Sequence, residues 1–476
     1  MSEPVPWRIR LAFGTGQLPE GIKSAAFGFF LLFYYNQVLG LSGTLSGIAI
    51  FIAMVVDAIS DPLVGALSDG TRSRWGRRHP YMYVAALPFA MSFYFLFAPP
   101  DGLSEMGLFL WLTTFSVLTR TFMTFYSVPH LSLGAELSRD YDERTLLSSL
   151  RMIMQLLGMF AVLIGGPLLF FNATADFDNG QLNPEAYPPF ALTAFWIMVI
   201  GVWISAIGTH SHIPMLPQAP TDSRFSPLAV ASDLVNAFKI RAFSAVVSAS
   251  IIAGMNQGMV QALILYTGTY FFELSPNQMT LVFTGGVVGV TIGSILTRPL
   301  STFVTEKKNL YIAGYTWYAI FTSYVIILKL MGLLPENGHP FIAPLYIISG
   351  AISGIGLGLA IPLSASMIAD ITDEHERRFG TRQEGIYYAA ASFAGKAIGG
   401  SGAILAGLII DFSGIPQGAT PGTVSAEAVS RFGWALGPAV IAMTALSLTC
   451  IAFHDISRAN HRAILKELEN SKETST

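Results

Sequence analysis

The sequence predicts an all-α membrane protein of twelve transmembrane helices arranged as two six-helix halves. Three observations predict it. Only 12% of the 476 residues are charged and 52% are apolar, whereas a soluble domain carries about a quarter charged residues. Twelve apolar stretches follow one another, most of them meeting the ~20 residues that a spanning helix needs. Basic residues, finally, gather in alternate connections only, the asymmetry that sets orientation in a bilayer.

The stretches lie at residues 12–38, 44–68, 79–98, 107–135, 146–171, 189–213, 243–272, 279–303, 310–331, 341–369, 385–411 and 432–454. Arg8 and Arg10 precede the first; Arg72, Arg74, Arg77 and Arg78 follow the second; Arg139 and Arg144 follow the fourth. Arg224, Lys239 and Arg241 lie after the sixth, Arg298, Lys307 and Lys308 around the eighth, and Arg377, Arg378 and Arg382 after the tenth. The tail adds Arg458, Arg462, Lys466 and Lys472. Connections such as "VLGLSG", "APPDGLSEMG" and "FSGIPQGATPGTVSAEAVS" hold no base, with Lys329 the nearest exception. Both termini are therefore expected in the cytoplasm, in a multi-pass protein of the cell (inner) membrane. The first stretch is too long for a cleaved signal. Cys450, the single cysteine, leaves no disulfide to make. The net charge of −3 comes with acidic outer connections and gives no reason to expect a nucleic-acid partner.

The longest polar connection divides the chain into a first six-helix half (1–213), a central cytoplasmic loop (214–242) with a surface helix "PLAVASDLVNAFK", a second half (243–456) and a cytoplasmic tail (457–476). The halves repeat. Residues 134–166 align without gaps on 368–400, an offset of 234, so that Ala135-Glu136-Leu137-Ser138 falls on Ala369-Asp370-Ile371-Thr372 and both segments end in Gly-Gly. Two six-helix halves in one orientation are the architecture of the major facilitator fold, with its substrate site at the midplane.

"VVDAISDPLVGALSD" (55–69) sets Asp57 and Asp61 one helical turn apart deep in the second stretch. An ionised group there costs about 2.5–3.5 kcal/mol on insertion scales. Two carboxylates on one face repel unless a cation lies between them or one is protonated. With Ser60 beside them they offer a hard cation such as Na⁺ several oxygens. Pro62 removes a backbone hydrogen bond close by. The other charges within spans are Glu20, Lys23, Arg120, Arg151 and Lys396. Glu20 and Lys23, three apart, either fasten helices or face the cavity. Gly350, Gly354 and Gly358 form a small-residue line that suits close helix packing. Tyr34, Tyr35, Phe125, Tyr126, Tyr387 and Tyr388 either stack on a cargo or pack. The eight histidines show no metal-ligand spacing, so an enzyme is not expected.

"DAISDPLVGALSDGTRSRWGRRHP" resembles the second helix and following loop of the glycoside–pentoside–hexuronide:cation symporters, the melibiose permease group. "FYYNQVLGLS", "FYSVPHLSLGAELSRDYDERT", "MIADITDEHE" and "RQEGIYYAAASFAGKAIGG" extend the resemblance over nearly the whole chain. It implies that Asp57 and Asp61 bind the coupling cation with Thr124 as a further ligand. It implies also that Arg151 lies near substrate and Lys396 near the junction of the two sites. The melibiose permease type has an aspartate where this chain has Gly21, another where it has Ser127, and a stacking tryptophan where it has Leu131. These departures argue against galactosides. An animal branch of the family that carries lysophospholipids with sodium shares the aspartate pair.

The expectation is a monomeric symporter without cofactor that imports a sugar, glycoside or uronate with Na⁺ or H⁺ by alternating access. A lysophospholipid or other amphiphilic anion is the alternative cargo. The cation ligands are Asp57, Asp61 and Thr124; Arg151, Lys396, Arg120, Glu20, Lys23 and Ser127 meet the substrate; Asp69, Arg77 and Arg78 form ion pairs of a cytoplasmic gate.

Overall fold

The computed structural model describes residues 5–138, 140–216, 238, 240–304, 306–379 and 384–474, and its regular structure is all helical. Twelve helices correspond to the twelve apolar stretches of the sequence. They are α1 (7–38), α2 (Gly43–Gly70), α3 (His79–Leu96), α4 (Glu105–Leu137), α5 (Tyr141–Leu163) and α6 (Tyr187–His210), then α7 (Arg241–Phe271), α8 (Pro276–Phe303), α9 (Lys307–Leu330), α10 (Ile342–Phe379), α11 (384–413) and α12 (Ala426–Ala452). Ten are long and apolar enough to cross a bilayer by themselves. The broken α1 and the shorter α3 complete the set. A final helix, α13 (Arg458–Thr474), docks on the end of α10, where His461 lies 3.0 Å from Asp373.

Local chemistry fixes where the helices start. Ser42, Ser104, Asp140 and Ser425 each turn a side-chain oxygen onto a backbone N–H of the first turn of α2, α4, α5 and α12, and Ser275 with Gln278 makes a reciprocal capping box at α8. The ends run past the apolar stretches wherever charges find partners. α1 begins at Trp7 rather than at 12 because Arg10 is held by both oxygens of Glu143, at 2.7 and 2.8 Å. α10 continues ten residues beyond 369, with Asp370 on Lys307 (2.6 Å) and Glu374 on Arg377 (2.7 Å).

The two halves are built alike. α1 lies against α5 and α6, α2 against α4, and α3 against α4 and α6; six helices later α7 lies against α11 and α12, α8 against α10, and α9 against α10 and α12. The helix is interrupted at Ile164, just before Gly165-Gly166, at the end of α5 and at Gly400, within Gly399-Gly400, in α11, and α1 and α7 both end in a π-turn, at Tyr34–Val38 and Thr267–Phe271. The glycine line of α10 packs as expected: a Cβ on Gly358 would lie 2.1 Å from the carbonyl of Val290 on α8.

One end of the bundle carries the arginine-rich connections and is called the basic end. At the opposite, base-poor end one buried apolar cluster runs from the first half into 259–283 and 403–415 of the second. A separate cluster fills the basic end of the second half, from Ile240 to Ala253 and from Leu357 to Ile371. The halves thus share their core at the base-poor end.

The expected surface helix at 227–239 lies outside the described residues apart from Phe238, as do Arg139, Arg224, Arg382 and the side chains of Arg378 and Tyr388.

Candidate functional site: a carboxylate pair bridged between the halves

α2 is unbroken through Pro62, and it holds Asp57 and Asp61 on the face that meets α4. There the Thr124 hydroxyl lies 2.9 Å from Asp57 Oδ1 and 3.1 Å from Asp61 Oδ1. One hydroxyl has one proton, so three oxygens converge where a single hydrogen bond can form at a time. Ser60 lies 3.4 Å from Thr124 but donates to the Asp57 carbonyl at 3.0 Å, so it braces the turn rather than adding a carboxylate contact. The opposite edges of both carboxylates face bases. Lys396 Nζ, from α11 in the other half, lies 2.5 Å from Asp61 Oδ2 and 3.1 Å from Asp57 Oδ2. Arg120, one turn before Thr124 on α4, approaches Asp57 Oδ2 at 3.4 Å and stacks over Phe27 of α1 at 5.0 Å. Asp57 is 5% exposed. Two carboxylates, two bases and one hydroxyl from α2, α4 and α11 form one charge-balanced cluster, stitched across the halves by Lys396.

The other predicted charges lie on α1 and α5, with Lys23 close enough to Asp57 to act on its charge. Lys23 pairs with Glu20 at 2.9 Å, and Ser24 donates to the same carboxylate. Arg151 on α5 donates to Gln17 at 3.3 Å. Among the described residues no carboxylate lies within ion-pair distance of Arg151. Ser127, half-buried, follows Thr124 by one turn.

Gly21, aligned with a family aspartate, faces α5 rather than the charge cluster. A Cβ there would lie 2.0 Å from the Gln155 carbonyl, so α1 and α5 touch backbone to backbone and no side chain fits. Glu20 is the carboxylate that α1 supplies beside Lys23. Of the tyrosines considered as stacking platforms, Tyr34, Tyr35, Tyr126 and Tyr387 are packing residues. Tyr34 and Tyr35 donate to the Phe97 and Leu96 carbonyls, Tyr126 to Gly16, and Tyr387 pairs with His375.

Three features went unread in the sequence. Gln17 sits in the two-residue turn, Gly16-Gln17, that separates the first two pieces of α1. Beside that turn the buried Tyr126 and His130 hydrogen-bond to the carbonyls of Gly16 and Phe13 at 2.8 and 2.9 Å. Glu136 turned out to be the hub of the basic-end arginines. Arg77 lies 2.7 Å and Arg78 2.9 Å from Glu136, while Arg78 also reaches Asp69 (2.5 Å) and Ser68 (2.8 Å). The offset of Glu136 onto Asp370 was the available signal, since Asp370 holds Lys307 in the same manner.

Twelve helices in two like halves with a charged cluster between them define a secondary transporter of the major facilitator type. The chain belongs to the family described as MFS/sugar transport protein, whose profile matches residues 12–458. It is 24% identical to an uncharacterized symporter of Synechocystis, covering 98% of this chain and 97% of that one. It is 25% identical to the isoprimeverose transporter of Lactiplantibacillus pentosus, covering 86% and 81%. Over a shorter region, 31% of this chain and 29% of the other, it is 32% identical to the sodium-dependent lysophosphatidylcholine symporter 1 of Mus musculus. The crystal structure of a D-xylose–proton symporter superposes with a TM-score of 0.65 at 15% identity, over 94% of this chain and 98% of the other. The protein is a transporter, not an enzyme.

Proposed function

We propose that the protein is a cation-coupled symporter, using Na⁺, that imports a sugar, glycoside or uronate by alternating access. The observation that carries this reading is the convergence of Asp57, Asp61 and Thr124 oxygens opposite Lys396. A hard cation entering among those oxygens competes with Lys396 for the same two carboxylates. Because Lys396 belongs to the other half, that competition changes how the halves are tied. The halves (1–213 and 243–456) rock about the midplane, and the basic end faces the cytoplasm of a cell whose inner membrane holds the protein as a monomer. Asp69, Arg77 and Arg78 brace the cytoplasmic end.

The charges of the cavity favour an acidic cargo. Glu20, Asp57 and Asp61 face Lys23, Arg120, Arg151 and Lys396, an excess of one positive charge. A bound cation raises that excess, and an anionic group on the substrate offsets it, so each ligand favours the other. A uronate meets this requirement within the first reading. The same excess is the specific observation for a second reading, in which the cargo is a lysophospholipid or another amphiphilic anion.

The decisive experiment reconstitutes the protein in vesicles with a Na⁺ gradient. Asp57→Asn or Asp61→Asn abolishes uphill accumulation while exchange of labelled substrate survives. Accumulation at the wild-type rate in the double variant would refute the cation site.

A further inference from the structure

α2 and α11 run antiparallel and are joined twice. The midplane junction is Lys396 on the aspartate pair. The second lies about 21 Å away, at 1.5 Å per residue along α2 from Asp57 to Gly43. There the carboxylate of Asp411, near the end of α11, accepts the backbone N–H groups of Gly43 and Thr44, one on each oxygen and both at 2.8 Å. These are unsatisfied donors of the first turn of α2, at the positive end of its helix dipole. Ser42 caps a different donor, Leu45 N–H. The backbones meet directly beside this contact. A Cβ on Gly407 would lie 2.0 Å from the Gly43 carbonyl, and one on Gly47 would lie 2.4 Å from the Ala403 carbonyl. Ile410, 2% exposed, fills the seam.

From these contacts we infer that Asp411 is a positioning residue for transport: it latches the base-poor end shut by capping α2 across the halves, and each cycle must release it before cargo enters from that side. The inference rests on the transporter class and not on which cation or cargo is carried. A second seam at the same end fits the role, with Tyr266 donating to Asn36 (2.9 Å) and Tyr270 to Gln37 (2.8 Å) across α1 and α7. Asp411 is itself exposed. Its hydrogen bonds therefore exchange with water at small net cost, as a gate that reopens every turnover requires. The carboxylate is also specific in chemistry. It takes one backbone donor on each of its two oxygens, an arrangement that a carboxamide, with an NH₂ group in place of one oxygen, cannot reproduce.

The test uses full-length protein in vesicles with Cys450→Ala, so that Ile410→Cys is the only thiol, and a membrane-impermeant maleimide applied from either side. Asp411→Asn is expected to raise labelling from the base-poor side about fivefold, with labelling from the basic side unchanged or lower. Asp411→Glu restores the protected state. Ala403→Cys serves as an independent reporter on the same seam. Unchanged protection of both reporters in Asp411→Asn overturns the inference. So does an equal rise from both sides, which marks a loosened protein rather than a shifted gate.

Discussion

At the scale of single residues, the four bases within the spans are not equivalent. Arg120 is neutralised by Asp57 and packed over Phe27, Lys23 by Glu20, and Lys396 by both aspartates. Arg151 has the neutral Gln17 as its hydrogen-bond partner. A guanidinium can grip two oxygens of a planar anion at once. Arg151→Gln is therefore expected to weaken binding of an acidic ligand by about tenfold or more relative to a matched neutral one, in keeping with a charge-assisted hydrogen bond of about 1.5–3 kcal/mol. Arg120→Gln should change that ratio less and instead disturb cation dependence. Calorimetric titration of purified protein in sodium, with the two ligands side by side, measures both. The sequence revealed Asp57 and Asp61 because two carboxylates one turn apart in an apolar run have no structural explanation. It revealed Lys396 as a charge, and the resemblance set it near the junction of the two sites, but its direct contact with Asp61, 335 residues away in sequence, was not read. Gln17 and Asp411 escaped notice for opposite reasons. One is uncharged, and the other lies at the end of a span, where a carboxylate is unremarkable.

At the scale of elements, the periodic apolar stretches located all twelve helices, and the misses were at their ends and breaks. Pairing of charges, invisible to hydropathy, extended α1 and α10. The glycine pairs that end the repeated segment lie beside interruptions at Ile164 and Gly400, a detail the repeat did not foretell. The π-turns of α1 and α7 left no sequence trace that we could read. The α8–α10 seam gives a sharp contrast between glycines. Gly358→Val places a branched side chain where its Cβ alone would approach the Val290 carbonyl to 2.1 Å, whereas a Cβ on Gly395 meets nothing within 4 Å. Overpacking of this kind costs about 1–3 kcal/mol. Thermal unfolding in detergent should show Gly358→Val clearly destabilised and Gly395→Ala close to wild type.

At the scale of the whole molecule, the same device closes the basic end of each half with unequal strength. Glu136 holds Arg77 and Arg78, of which Arg78 is 4% exposed, while Asp370 holds Lys307, whose side chain is 38% exposed. Stranding a buried charge costs several kcal/mol, and losing an exposed partner costs about 0–1 kcal/mol. Glu136→Gln is thus expected to lower the unfolding temperature more than Asp370→Asn. Equal shifts would mean that Arg78 finds sufficient compensation in Asp69 and Ser68. The repeat predicted that the two acids correspond; it could not predict the difference, which comes from how deeply each base is buried.

The tether of Lys396 to α11 also decides what the membrane voltage can do. In the proposed cycle, an ammonium that is part of the protein neutralises the aspartates when the carrier is unloaded, so the return step need not drag bare carboxylates through the bilayer. Over a full cycle the protein's own charges come back to where they began, and the current carried is that of the cargo alone. One Na⁺ with a monoanion moves no net charge. One Na⁺ with a neutral glycoside moves one, and 100 mV then contributes about 2.3 kcal/mol, roughly fiftyfold in accumulation at 1.4 kcal/mol per decade. A potassium diffusion potential imposed on vesicles by valinomycin should leave uptake of an acidic cargo unchanged and drive that of a neutral one. Voltage-driven uptake of a monoanion would require a second cation, and with it more oxygens than the aspartate pair and Thr124 provide.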